Sequence, residues 1–246
     1  MRLWANLLKA PEKLIEGLEA AEAALKLDPH HTMGHAVSGA IMTELARYDD
    51  AVRFLDEAGR LDPSYHWARK ERGKALYLRG DTEAALDVFT KLAEGSAGFE
   101  SQGLAGQVLA LRKLGRSEEA NKVLELSLGN PPRDPYACLD LARAFVEFYG
   151  LDEAKETLAE AIRKYQETIR LNPGLPDAHN EIGWYQATEL DRDSDLLASC
   201  IDHAELAVAL LPKGSVKGNY LDTLGWIWYL KGNLNKARRY LQQAMK

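Results

Sequence analysis

Cysteine is nearly absent from this 246-residue chain, which contains only Cys138 and Cys200. The two lie far apart in the sequence and indicate no disulfide framework. Both fall within amphipathic helical patterns, and we expect Cys200 to be a small buried residue rather than a reactive thiol. The scarcity favours a reducing compartment. We therefore expect a cytoplasmic chain, or a periplasmic one if it is a fragment of an exported protein.

Long apolar runs and an excess of positive charge are also missing. No run of about 18 apolar residues occurs, so we expect no membrane span. The start of the chain, MRLWANLLKAPEK, has too short an apolar stretch for a secretory signal. Lysine and arginine number 31 against 37 aspartates and glutamates, which gives a formal net charge of −6. Because nucleic-acid-binding domains are normally basic, we expect no nucleic-acid partner.

Motifs that carry chemistry are absent as well. The sequence contains no G-x-S-x-G, H-E-x-x-H or phosphate-loop pattern. The histidines within residues 30–35 straddle a proline turn, and no carboxylate or cysteine completes a metal-ligand set beside them. The aspartates within residues 191–195 lack the glycine and the glutamate that a calcium loop requires. We expect no catalytic residue, no metal, no cofactor and therefore no enzyme activity.

Small residues, by contrast, recur at nearly one interval along the chain. They are Ala51, Ala85, Ala120 and Ala154, spaced 34, 35 and 34 residues apart, with Cys200 and Ala237 after longer gaps. A glycine pair, Gly39 and Gly73, keeps the 34-residue interval. A fixed period of this length indicates a stacked array of helical hairpins. Glycine or alanine is expected where two helix backbones approach closely, because a larger side chain would wedge them apart.

The sequence pattern of these units resembles that of the tetratricopeptide repeat family over the whole chain. The last unit, NYLDTLGWIWYLKGNLNKARRYLQQAMK, gives the best match through Leu224, Gly225 and Trp228 in its first helix and Ala237 and Leu241 in its second. The resemblance implies an all-α fold: a right-handed α-solenoid of stacked antiparallel helix pairs, with about 14 helices. We expect a single solenoid over residues 1–246.

Seven units divide this predicted solenoid. They are a partial unit at 1–31 and further units at 32–65, 66–100, 101–134, 135–175, 176–216 and 217–246. Pro132 and Pro173 are 41 residues apart, which exceeds the repeat by seven, close to two helical turns. We therefore predict one long helix over residues 152–171. The sixth unit has a longer loop around 189–195, for which a binding role and neutral drift both stay open.

The resemblance also implies that the first helix of each pair lines a concave groove. Projecting the first helices leaves large aromatic, basic and amide side chains off the packing face, and such residues favour peptide recognition. The candidate partner-binding residues are Lys74, Tyr77, Arg112, Arg143, Asn180, Trp184, Asn219, Asp222, Trp226 and Tyr229. The alternative for Trp184 and Trp226 is that they only pack between adjacent repeats.

These features together predict a non-enzymatic scaffold that binds a peptide or partner segment in its groove. The final units are similar in wording to bacterial repeat proteins that organise envelope, export or assembly complexes. The family's clamp for chaperone tails is incomplete here, since Ala36, Val37 and Ala40 stand where polar residues are needed. Two alternatives stay open: the regulatory or partner-docking arm of a larger multidomain enzyme, and a peptide-signal sensor.

The two ends of the array raise a separate expectation. Solenoids need terminal units with a polar outer face, because an unstacked hairpin exposes its apolar side. Apolar residues at both ends (Trp4, Leu7 and Leu8, then Trp228, Tyr240 and Leu241) risk leaving such surface uncovered. We expect either a segment of a longer protein or self-association through the terminal repeats. The last hairpin is also rich in lysine and arginine, which would suit an acidic partner or simply a solvated face.

Overall fold

The computed structural model describes residues 11–95, 98–129, 134–152, 155–189, 194–212, 215 and 218–245, and every regular element within them is a helix. The helices are α1 (Pro11–Leu27), α2 (Thr32–Glu44), α3 (Tyr48–Leu61), α4 (His66–Arg79), α5 (Thr82–Gly95), α6 (Glu100–Lys113), α7 (Ser117–Leu128), α8 (Pro135–Asp152), α9 (Lys155–Leu171), α10 (Pro176–Glu189), α11 (Ser194–Leu210), α12 (Gly218–Leu230) and α13 (Leu234–Ala244). No described helix is both long enough and apolar enough to cross a membrane.

Consecutive helices pack against each other as hairpins. The pairs are α2 with α3, α4 with α5, α6 with α7, α10 with α11 and α12 with α13. Connections of two or three residues, where they are described, force each pair to run antiparallel. The predicted all-α fold of stacked antiparallel helix pairs is confirmed. The division into seven repeat units stays a prediction.

The chain forms two compact units. Unit 1 comprises Met1–Gly129 together with Ala144–Thr157, and unit 2 comprises Asn130–Arg143 together with Leu158–Lys246. The division falls inside α8, so the second half of that helix (residues 144–152) packs with unit 1.

One turn geometry closes four of the hairpins. The residues just past α2, α4, α6 and α12 have positive φ: Ala46 at 56°, Gly80 at 100°, Gly115 at 75° and Gly232 at 81°. In each turn the next N–H donates back to a carbonyl five residues earlier, as Asp81 does to Leu76 at 3.0 Å. Glycine suits the left-handed position because it has no Cβ. The first three of these positions are 34 and 35 residues apart, which is the interval of the sequence period.

The predicted close approach of paired helices occurs at Gly39 in α2, and a similar one occurs at Gly183 in α10. A Cβ built on Gly39 would lie 2.5 Å from Leu55 Cγ and 3.0 Å from the carbonyl oxygen of Ala51. A Cβ built on Gly183 would lie 3.0 Å from the carbonyl oxygen of Cys200. The expectation that Cys200 is a small buried residue is confirmed, since it is fully buried and burial raises the pKa of its thiol to about 11.

Gly39→Ala is expected to destabilise the protein, although alanine is the better helix former. The new methyl group would overlap Leu55 within a packed hairpin, and overpacking costs about 1–3 kcal/mol. Gly59 in α3 is the matched control, because nothing lies within 4 Å of a Cβ built there. Gly59→Ala should raise the free energy of unfolding by about 0.5–1 kcal/mol. Urea titrations followed by circular dichroism measure both, and a Gly39→Ala protein as stable as Gly59→Ala would contradict the close approach.

The fifth predicted unit differs from the expectation. The predicted helix over 152–171 is continuous from Lys155 to Leu171, and its residues Leu158, Ala161 and Tyr165 are buried. Its predicted start is wrong, because Asp152 ends α8 instead. Here α8 has 18 residues, against 13 or 14 in α2, α4 and α6. The extra length is therefore shared by both helices of this unit.

The predicted features at the two ends are described only in part. Trp4, Leu7 and Leu8 lie outside the described residues, as do most of the loop residues 189–195. At the other end Trp228 is half-buried, and Lys236 Nζ lies 3.7 Å above its ring centroid. Lys236 of the basic last hairpin thus covers the ring of Trp228.

Candidate partner-binding surfaces

An aromatic patch lies on two first helices of unit 2. It consists of Trp184 on α10 and Trp226 and Tyr229 on α12. The ring centroids of Trp184 and Trp226 are 6.3 Å apart, and those of Trp226 and Tyr229 are 5.3 Å apart with 27° between the ring planes. Trp226 keeps 37% of its surface exposed and Tyr229 keeps 51%. The three rings therefore form one contiguous surface that is open to solvent at α12.

This geometry bears on the alternative that the tryptophans only fill the space between repeats. Trp226 follows Gly225, whose missing side chain faces Leu241 of the partner helix. One residue along a helix turns the side chain by about 100°, so Trp226 is directed away from the hairpin core. Trp184 is half-buried. Trp226 thus both contacts the neighbouring repeat and presents ring surface to solvent.

Two polar candidates share the face of α12 that carries the patch. Asn219, Asp222, Trp226 and Tyr229 follow one another at spacings of three, four and three residues, which places them on one side of the helix. Asn219 is exposed and Asp222 is half-buried. The four residues share one face of α12, and their role in partner binding stays a prediction.

Arg143, Asp177 and Tyr220 form a polar bridge beside the patch. Arg143 donates to Asp177 at 2.7 Å, and the Tyr220 hydroxyl donates to the other oxygen of the same carboxylate. Burial alone would raise the pKa of Asp177, but the hydrogen bonds from Tyr220 and Arg143 outweigh it and lower the pKa. The bridge ties the first helices α8, α10 and α12 of unit 2 together. It holds Arg143 in an ion pair, and sequence reasoning did not identify Asp177 or Tyr220.

Asn180 is the candidate of unit 2 whose position differs most from the expectation. Only 2% of its surface is exposed. Its side-chain oxygen has no hydrogen-bond partner among the described residues. The expected placement of Asn180 on an open groove face does not match this burial.

The three candidates of unit 1 are Lys74, Tyr77 and Arg112, and two of them are buried. Lys74 is 7% exposed and Tyr77 is 8% exposed, whereas Arg112 is half-buried. Lys113 covers Tyr77, with its Nζ 4.0 Å from the ring centroid, and donates to the Tyr77 carbonyl at 2.9 Å. Neither Lys74 nor Tyr77 faces solvent as the projection predicts.

Lys74 belongs to a buried cluster of charges on α4 and α8. Glu71 accepts from Lys74 and from Lys70, at 3.0 Å each, and Lys70 also donates to Glu147. Burial alone would lower the pKa of Lys70, but Glu71 and Glu147 outweigh it and leave the pKa raised. Burial likewise would raise the pKa of Glu71, and the two lysines outweigh it and leave the pKa lowered. Both shifts favour the charged forms of Lys70 and Glu71.

The histidines near residue 30 have local structural roles. His31 Nδ1 accepts from the backbone N–H of Gly34 at 3.1 Å and caps α2. His35 Nε2 donates to the carbonyl of Pro29 at 2.9 Å. Within the described ranges, no group of three or more histidine, cysteine, aspartate or glutamate side chains could hold a metal ion.

A protein-family model matches part of the chain. Residues 43–98 match the model of the tetratricopeptide repeat. Among curated proteins, the human protein O-mannosyl-transferase TMTC1 is 26% identical over 175 residues, which are 71% of this chain. The chain spans 18% of the length of that relative.

Solved structures of repeat proteins are also similar to this chain. YrrB, a TPR protein with an unusual peptide-binding site, is 18% identical with a TM-score of 0.41, over 80% of this chain and 95% of YrrB. The C-terminal part of a TPR repeat-containing protein from Cytophaga hutchinsonii is 15% identical with a TM-score of 0.46, over 99% and 92% of the two chains. A chain of the APC/C hetero-tetramer Cut9–Hcn1 is 15% identical with a TM-score of 0.45, over 98% of this chain and 48% of that chain.

Proposed function

We propose, from the tetratricopeptide repeat match over residues 43–98, that this chain is a non-enzymatic scaffold that binds a peptide or partner segment through the aromatic patch of unit 2. The observation that carries the proposal is the joined ring surface of Trp184, Trp226 and Tyr229, two of which keep more than a third of their surface exposed. Large aromatic side chains held in place by neighbours are the residues that dominate binding energy at protein interfaces.

The surroundings of the patch support recognition of an extended or helical segment. Asn219 lies exposed on the same face of α12, where its amide could pair with a partner's main chain. The bridge of Arg143, Asp177 and Tyr220 fixes the first helices on which the rings stand. Rings that are already ordered lose little rotamer freedom when a partner binds, which favours affinity.

Trp226→Ala should weaken binding of a partner peptide by about 2 kcal/mol, which is roughly 30-fold in Kd, because it removes the central ring of the patch. The peptides for this test come from phage display panned against the wild-type chain, and fluorescence polarisation gives their Kd values. The same substitution should cost less folding stability than truncation of a fully buried aromatic residue, since Trp226 is partly in solvent already.

Leu234→Ala serves as the matched control in that experiment. Leu234 is 62% exposed and lies on α13, the second helix of the same hairpin. Its truncation should change Kd less than twofold. Peptides that bind the Trp226→Ala protein as tightly as the wild type would place the binding surface elsewhere and would contradict the proposal.

A second candidate function is the partner-docking arm of a larger multidomain enzyme. The relation to the human protein O-mannosyl-transferase TMTC1, of which this chain spans 18%, favours it. The complete reading frame of the gene tests this candidate, because a catalytic domain beyond either end would support it. The sequence pattern of the last two units supports a place in a bacterial assembly or export complex. The genome in which the gene occurs tests whether the protein is bacterial.

A further inference from the structure

The groove face of α4 in unit 1 is covered, which a regular array of hairpins does not explain. All five residues from 73 to 77 are buried, and so are Lys70 and Glu71 one turn earlier. One helical turn takes 3.6 residues, so a buried run of five leaves no side of the helix in solvent at that level. Two lysine side chains are among the covered groups, with 8% and 9% of their side-chain surface exposed. Something other than solvent therefore faces these cations.

Lys113 of α6 covers Tyr77, and the second half of α8 supplies a further part of the cover. Glu147 accepts from Lys70, 77 residues away in the chain. Phe148 meets Phe89 edge-on, with ring centroids 5.3 Å apart and ring planes at 89°. Ala144, Phe145 and Phe148 are each at most 3% exposed. This half of α8 belongs to unit 1 by its packing.

Regular stacking would keep Lys70 and Glu147 apart. They are separated by about two repeat lengths, and each repeat of a solenoid contacts only its neighbours. Packed helices lie about 8–10 Å apart, so first helices two repeats apart would have axes roughly 16–20 Å apart. The direct ion pair shows that the second half of α8 lies within side-chain reach of α4.

Two glycines let the covering segment reach the hairpin core. A Cβ built on Gly73 of α4 would lie 2.5 Å from Phe89 Cε1, and one built on Gly106 of α6 would lie 2.4 Å from Phe89 Cδ1. The Phe89 ring therefore lies between two first helices that carry no side chain at the contact. The same ring also makes the edge-on contact with Phe148.

We propose that the second half of α8 is an internal ligand of the unit 1 groove, and that the groove recognises a partner helix with an acidic residue followed directly by an aromatic one. Glu147 supplies the acid for Lys70, and Phe148 supplies the ring for Phe89. Without Glu147, Lys70 and Lys74 share Glu71 as their one ion-pair partner among the described residues. Glu44 of α2 acts on Lys74 at longer range, and Lys113 adds a further cation beside Tyr77. An apolar partner would leave a buried cation without its counter-ion, which is costly. This surface is distinct from the aromatic patch of unit 2.

A labelled synthetic peptide of residues 139–150 tests the proposal on the full chain. A Glu147→Ala/Phe148→Ala double variant removes both contacts of the internal ligand and frees the groove. We expect that variant to bind the peptide at least tenfold more tightly than the wild-type chain does, by fluorescence polarisation. Adding Lys70→Met should reduce binding at least tenfold, and a peptide with E147Q and F148A should bind at least tenfold more weakly. Equal affinity of the wild-type chain and the double variant, or no effect of Lys70→Met, would overturn the proposal.

A measurement on the wild-type chain guards against a double variant that fails to fold. Saturating peptide should displace the internal ligand and raise backbone hydrogen exchange at residues 144–148, whereas α12 should keep its exchange rate. No rise at 144–148 under saturating peptide would overturn the proposal independently. Trp226→Ala should leave binding of this peptide unchanged, so failure here and failure of the proposed function give different results.

Discussion

Phe89→Ala is expected to lower the free energy of unfolding by about 3–5 kcal/mol, the largest effect among substitutions of apolar side chains considered for this chain. Phe89 is 1% exposed and fills the space between Gly73 and Gly106, where neither first helix offers atoms that could close the cavity. The substitution also removes the edge-on contact with Phe148, which adds about 0.5–1.5 kcal/mol beyond the buried area. Urea titration followed by circular dichroism gives the loss.

Leu126→Ala is the control for that measurement. Leu126 is 77% exposed on α7 of the same unit, and its truncation should change stability by less than about 0.5 kcal/mol. A double-mutant cycle with Phe148→Ala isolates the contact between the two rings, since residues in contact show interaction energies above about 0.5 kcal/mol. A cycle that closes with no interaction energy would show that the second half of α8 does not pack on Phe89.

The parts of this fold that the sequence predicts are those that repeat from one hairpin to the next. Small residues recur at the positions of Gly39 and Ala51 because two helix backbones approach closely in each hairpin. The period therefore predicts where the close approaches fall, and Leu55 beside Gly39 confirms one. Cys200 is predictable for the same reason, because it occupies the position of the recurring alanine.

Contacts between residues far apart in the chain are not predictable from a period. The ion pair of Lys70 with Glu147 joins residues 77 apart, and no repeat-to-repeat pattern encodes it. The projection failed at Lys74 and Tyr77 for the same kind of reason: Lys74 pairs with the buried Glu71, and Lys113 of α6 covers the Tyr77 ring. A lysine pair four residues apart on a groove face was the one available signal, because such a pair needs an acid nearby.

The aromatic patch is predictable from the sequence only in part. The helical spacing of Trp226 and Tyr229 predicts a shared face on α12, and the structure has both rings there with more than a third of each exposed. The contact with Trp184 depends on how α10 and α12 pack, which helical spacing within either helix does not contain. Asp177 depends on the same packing, because it receives hydrogen bonds from α8 and from α12.

Glu71→Gln is expected to lower the free energy of unfolding by about 3–5 kcal/mol, because it removes the carboxylate between two buried lysines. Glu71 is 5% exposed and lies 3.0 Å from both Lys70 and Lys74. In the variant Lys70 keeps Glu147, whereas Lys74 loses the one carboxylate with which it forms an ion pair among the described residues. Asp87→Asn, which breaks an exposed pair with Lys91 on α5, is the control and should cost about 0.5 kcal/mol or less.

The pH dependence of stability distinguishes the charge of Glu71 from its packing. The lysines hold the pKa of Glu71 below its usual value in the folded chain, although burial alone would raise it. A carboxylate with a lowered folded-state pKa stabilises the protein above its unfolded-state pKa of about 4.3, and this contribution is lost as the pH falls through the folded-state pKa. The stability difference between the wild type and Glu71→Gln should therefore be largest near pH 7 and shrink as the pH falls below about 4. Urea titrations at pH 7, 5 and 3 measure it, and a difference that stays constant across that range would mean that the carboxylate acts through its shape and not its charge.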